Sequence, residues 1–182
     1  MCSSDLDLIV GATGSDPLAG TDAGRSYVVF GKTNTTAIDL SAIASGNGGF
    51  VINGQCSLDY SGRSVASAGD INGDGLSDLI VGAIGGDTPA GTDAGRSYVV
   101  FGKTSTTAID LSAIASGSGG FVINGQCSLD YSGRSVSSAG DVNGDGLADL
   151  IVGADTSDPA AGSNARSEEH TSELQSHSDL VC

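Results

Sequence analysis

At 182 residues the chain is long enough for one or two domains with a buried core. Its 29 glycines, 4% aromatic content and absence of tryptophan disfavour a bulky-cored helical domain and favour short strands with tight turns. A formal net charge of -15 argues against nucleic acid, whose phosphates need basic patches. No run reaches the ~18 apolar residues of a membrane span, and no basic start followed by an apolar stretch marks a signal peptide.

The chain repeats itself. Asp7, Asp78 and Asp149 are equivalent at a spacing of 71 residues, and copies 7–77 and 78–148 differ at nine positions, so 71 - 9 = 62 are identical. A third copy follows the pattern over 149–165, until Arg166 stands where the repeat asks for Gly. In chain order each copy opens on an apolar run rich in branched residues, Asp7 to Ala12, Asp78 to Ala83 and Asp149 to Ala154, which reads as a buried strand. A long Gly/Asp/Pro loop follows, 13–24 and 84–95, and it varies most between copies. Next come a strand at Arg25 to Gly31 and Arg96 to Gly102, and an extended segment at Thr104 to Asp110. One helical turn is expected over Leu111 to Gly117, with Ser112 at its start and Gly117 as its stop. A third strand is expected at Phe50 to Asn53 and Phe121 to Asn124, and a fourth at Gly62 to Gly69 and Gly133 to Gly140.

Both ends depart from this pattern. Residues 166–182, RSEEHTSELQSHSDLVC, resemble translated sequencing-library adapter DNA, and Cys2 to Leu6 resemble its opposite-strand end. The reading is therefore a scar at 1–6, a repeat region at 7–165 and an adapter-derived tail at 166–182, the scars being set aside from fold reasoning. Without them the chain holds six Lys/Arg and 17 Asp, a net charge of 6 - 17 = -11, with neither His nor Glu. The usual proton shuttles are missing. Cys56 and Cys127 remain as one thiol per copy, and small buried hydrophobes are the default expectation for them.

The candidate site lies between the fourth strand of one copy and the first strand of the next. In Asp70-Ile-Asn-Gly-Asp-Gly-Leu-Ser-Asp78, oxygen-bearing side chains fall at positions 1, 3, 5 and 9: Asp70, Asn72, Asp74 and Asp78. Gly75 at position 6 allows a sharp turn, and Leu76 at position 7 can offer a main-chain carbonyl. The pattern returns as Asp141, Asn143, Asp145, Leu147 and Asp149. Oxygens at alternate loop positions suit Ca2+, which takes six to eight of them. Three carboxylates in one loop repel one another unless a cation joins them. A helix-loop-helix calcium hand also needs Glu at position 12, where Val81 stands, so that reading fails. An Asn/Asp/Gly turn without an ion is the alternative.

About four short strands in a long period point to propeller blades, with the small residues of the Gly62 to Gly69 strand suited to the crowded innermost position. The matching residues are Phe30-Gly31 and Phe101-Gly102, then Gly11-Ala12, Gly82-Ala83 and Gly153-Ala154, with the aspartate loops between. In these the chain resembles the FG-GAP repeats of the integrin alpha-subunit N-terminal propeller, in the form common in bacterial extracellular proteins. The resemblance covers 7–165. Thr13, Ile84 and Asp155 stand where the family often has Pro, and the period is somewhat longer than typical. It implies an all-β fold, a β-propeller fragment of about two four-stranded antiparallel blades, with an ion in the loop between the first two strands of a blade. It also implies an extracellular or cell-surface location and a role as a binding or adhesion scaffold for a protein or glycan ligand.

A second reading from another class makes this the non-catalytic propeller portion of a larger extracellular enzyme, a phospholipase or glycan-active protein. The repeat region offers no nucleophile with an evident base, so it is expected not to be catalytic itself. Three smaller features complete the inventory. Asn34-Thr-Thr36 matches a glycosylation sequon, but the second copy has Ser105 and coincidence is favoured. Arg25, Arg63, Arg96 and Arg134 recur in Gly-Arg-Ser and are expected to pair with Asp. Asp22 and Asp93 sit in solvated loops that could face a partner.

Overall fold

The computed structural model describes residues 7–157; both segments read as adapter-derived, and the end of the third copy, lie outside them. Ten strands form in chain order: β1 Leu8–Ala12, β2 Arg25–Val29, β3 Gly49–Asn53, β4 Ser61–Gly69, β5 Asp78–Ala83, β6 Arg96–Val100, β7 Ile109–Asp110, β8 Gly120–Asn124, β9 Ser135–Gly140 and β10 Asp149–Gly153. Two single-turn helices interrupt them, α1 at Leu40–Ala44 and α2 at Leu111–Ala115. The branched runs DLIVGA and RSYVV became strands because β-branched and aromatic side chains pack well on a pleated surface.

The central sheet has the order β4-β5-β6-β8 and is antiparallel throughout. It straddles the sequence repeat, since its innermost strand closes one copy and its other three open the next. A complete blade is thus residues 61–124. On one side lies the sheet β1-β2-β3-β7, and on the other the pair β9 and β10. The fold is a β-propeller fragment of antiparallel blades. In the first sheet the fourth place is filled differently: β7, from the copy that builds the central blade, pairs in parallel with β3 through Ile52↔Ile109 and Asn53↔Asp110. The Asn53 Nδ2 donates to Asp110 Oδ1 at 2.9 Å beside that pairing.

Side-chain alternation in the central blade explains its unbroken apolar sequence. Val81, Tyr98 and Val100 face the first sheet and pack with Val28, Phe50 and Ile52, whereas Ile80 and Val99 face the other way onto Ala68 and Leu150. Both faces are buried, so both parities must be apolar. Main chain meets main chain where blades touch. A Cβ on Gly11 would lie 2.1 Å from the Gly62 carbonyl oxygen, and one on Gly82 would lie 2.0 Å from that of Gly133. Only glycine fits either place, which is the physical content of the repeated Gly-Ala.

Two expectations need correction. The helical turn spans Leu111–Ala115, but its cap residue is Asp110, two residues ahead of Ser112, because β7 holds Asp110 extended. Cys56 is exposed and Cys127 half-buried, so neither serves as a core hydrophobe; each sits on the loop leaving a blade's last strand, where packing is incomplete.

Candidate metal centre

The 70–77 loop joins β4 to β5 and is shaped by its own carboxylates. Asp70 Oδ1 accepts the N–H groups of Gly73 at 2.8 Å and Asp74 at 3.1 Å, while its Oδ2 accepts that of Gly75 at 2.9 Å. Asn72 Oδ1 accepts Asp74 N–H at 2.8 Å, and Asp74 Oδ1 accepts Leu76 N–H at 2.8 Å. Asn72 Nδ2 donates to Asp74 Oδ2 at 2.9 Å, which ties positions 3 and 5 together. Gly75 takes φ +86°, the left-handed turn expected of position 6.

Asp78 plays a separate part. Its side chain is fully buried, with Oδ2 accepting Ile71 N–H at 2.9 Å and Oδ1 accepting Gly102 N–H at 2.7 Å. Position 9 therefore staples the loop to the far end of β6. The same bond appears in the first copy, where Asp7 Oδ1 accepts Gly31 N–H at 2.9 Å. In the second loop Asp141, Asn143, Asp145 and Leu147 reproduce every bond of the first within the loop, and Asp149 Oδ2 accepts Val142 N–H at 2.6 Å. The loops also touch each other across the blade boundary, where Ala148 N–H donates to the Asp70 carbonyl oxygen at 3.2 Å.

The donor set suits a hard cation in chemistry. An ionised carboxylate offers about four lone-pair positions; Asp70 spends three on amides, and Asp74 and Asp78 spend two each. Acceptor capacity is left on each of these three carboxylates. Among the described residues, no three His, Cys, Asp or Glu side chains stand grouped so as to hold a metal ion; Asp78 is fully buried with one amide on each carboxylate oxygen.

The opposite end of the blades carries a different polar cluster, which sequence reasoning missed. Gln55, leaving β3, accepts Tyr98 OH at 2.7 Å and Arg96 Nη1 at 3.3 Å through Oε1, joining the first sheet to the central blade. Burial, ahead of every other cause, pushes the Tyr98 phenol up to about 12. Asp59 is 5% exposed, and its Oδ2 accepts Cys56 N–H at 3.1 Å. Burial raises its carboxyl above the usual carboxylate range, against the Cys56 N–H and the Arg96 charge that lower it. The recurring Cys-Ser-Leu-Asp spacing was the available signal, since Asp130 bonds Cys127 N–H at 2.9 Å in the same way.

The arginines divide. Arg134 pairs with Asp155 at 3.2 Å as expected, whereas Arg25 donates to Asn53 Oδ1 at 2.9 Å and Arg96 to Gln55. Asp22 and Asp93 are half-buried at φ 51° and 52°, and their N–H groups donate to Asp16 at 2.8 Å and Asp87 at 3.0 Å.

A family model described as FG-GAP repeat matches residues 61–100 and 132–167. The chain carries FG-GAP repeats, consistent with an integrin-alpha-like propeller repeat. Residues 61–100 run from the start of β4 to the end of β6 and enclose the first loop, while the second match encloses the other. Among the described residues no helix is long and apolar enough to cross a membrane.

Proposed function

We propose that this chain is a calcium-stabilised propeller segment of a secreted or surface protein, serving as a scaffold that binds a protein or glycan and does no chemistry itself. Asp70, Asn72 and Asp74, the Leu76 carbonyl and Asp78 would hold one ion, and Asp141, Asn143, Asp145, Leu147 and Asp149 a second. Calcium supplies the positive charge that offsets three neighbouring carboxylates. The observation that carries the reading is the pair of loops themselves: each gathers Asp, Asn and Asp through one set of backbone bonds and leaves their remaining lone pairs unspent. Extracellular modules of this kind bind calcium at about 10⁻⁴ to 10⁻³ M, which suits the outside of a cell.

The loops at the other end of the blades, where Asp22 and Asp93 lie, are the proposed ligand face, since binding residues concentrate on loops held by a rigid scaffold. Thermal melting against added calcium tests the proposal. Melting should rise with calcium and fall with chelator, and a variant with both Asp74→Ala and Asp145→Ala should lose that response. Melting indifferent to calcium, chelator and the double substitution would overturn it.

A further inference from the structure

We propose that Asn47 is a self-modifying position, converting to aspartate and isoaspartate without an enzyme. The backbone nitrogen of Gly48, on losing its proton, attacks the Asn47 side-chain carbonyl carbon, and ammonia leaves. The resulting five-membered succinimide is opened by water at either carbonyl. One opening gives aspartate; the other gives isoaspartate, with the main chain rerouted through the side-chain carbon.

Five Asn-Gly pairs lie within the described residues, at 47, 53, 72, 124 and 143, and the structure separates one from the rest. The reaction needs the glycine nitrogen free to swing onto its neighbour. Gly54 N–H is held by the Gly24 carbonyl at 2.9 Å and Gly125 N–H by that of Gly95 at 2.8 Å. Gly73 N–H is held by Asp70 at 2.8 Å and Gly144 N–H by Asp141 at 2.7 Å. Asn53 is further restrained at both ends of its amide, by Arg25 and Asp110. Asn47 is exposed, and Gly48 N–H has no hydrogen-bond partner among the described residues. Gly46 and Gly48 flank it at φ +80° and +78°, left-handed values that glycine adopts without strain. The second copy carries Ser118 in the same turn, with its N–H on Ala113 as that of Asn47 is on Ala42. The fast event is therefore confined to one copy, where it would add a negative charge between α1 and β3.

The test is to hold the full chain in warm, mildly alkaline buffer, digest it, and follow each Asn-Gly peptide by the mass gain of an amide becoming an acid. A parallel sample is kept in denaturant. In the folded chain residue 47 should convert about five- to tenfold faster than the other four, the factor one hydrogen bond on the nucleophile is worth. In denaturant the five should react at similar rates. Asn47→Ser, which copies the second repeat, should abolish the fast event and leave the others unchanged. Conversion at 47 no faster than at 53 or 72 in the folded chain would overturn the proposal, as would an identical ranking in denaturant.

Discussion

The two acidic loops differ only at Ile71/Val142 and Ser77/Ala148, yet they inhabit different surroundings. In the first, Asp78 is fully buried and bonded to Gly102, and Ile71 is 9% exposed under the strands of a complete blade. In the second, Asp149 is half-buried and Val142 is 60% exposed, beside a pair of strands. Within each loop the bonds accepted by positions 1, 3 and 5 are the same, and the second adds one from Asn143 N–H to Asp149 Oδ2 at 3.4 Å. The lesson is that a loop's internal shape comes from its own nine residues, whereas its anchorage comes from strands far along the chain.

The sharpest way to break this comparison is at position 9. Asp78→Ala would strand two N–H groups in a buried place, at a cost of about 1 to 3 kcal/mol each. Asp149→Ala should cost roughly half as much, because its loop stays open to water. Chemical denaturation of both variants measures the gap, and equal losses would mean that Gly102 contributes nothing. Ile71→Ala comes next, expected to cost about 2 to 4 kcal/mol as a core truncation, against no more than ~0.5 kcal/mol for Val142→Ala at the surface. Equal melting shifts would contradict the burial difference.

The smallest effect lies at the other end of the blade. Asp59 has its folded pKa raised above the unfolded value, chiefly by burial. Its protonated form therefore favours the fold, a contribution fully present below the ordinary carboxylate range and lost as pH rises through the folded value. Asp59→Asn should remove that pH dependence, so the parent chain should lose melting temperature relative to the variant between acid and neutral pH. Parallel melting curves across that span would remove Asp59 from the account.

Much of this was legible in the sequence for a plain reason. Asp78 to Ala83 and Arg96 to Val100 are dense in β-branched side chains, and Asp-x-Asn-x-Asp-Gly states its turn chemistry outright. The β3–β7 pairing was not legible, because Ile109 and Asp110 carry no period of their own and meet a strand more than fifty residues earlier. Nor was the burial of Asp78, which depends on an amide 24 residues onward. The thiols misled because a default for cysteine says nothing about where one loop leaves the packed region.

The backbone contacts at Gly11 with Gly62 and Gly82 with Gly133 have a consequence for how such a protein is built. Both contacts sit at equivalent places in the repeat, so a newly copied module brings both halves of the joint with it, the glycines where backbones touch and the apolar side chains packed beside them. A gene can lengthen the array by simple duplication, and 62 identical positions of 71 is what such copying leaves behind.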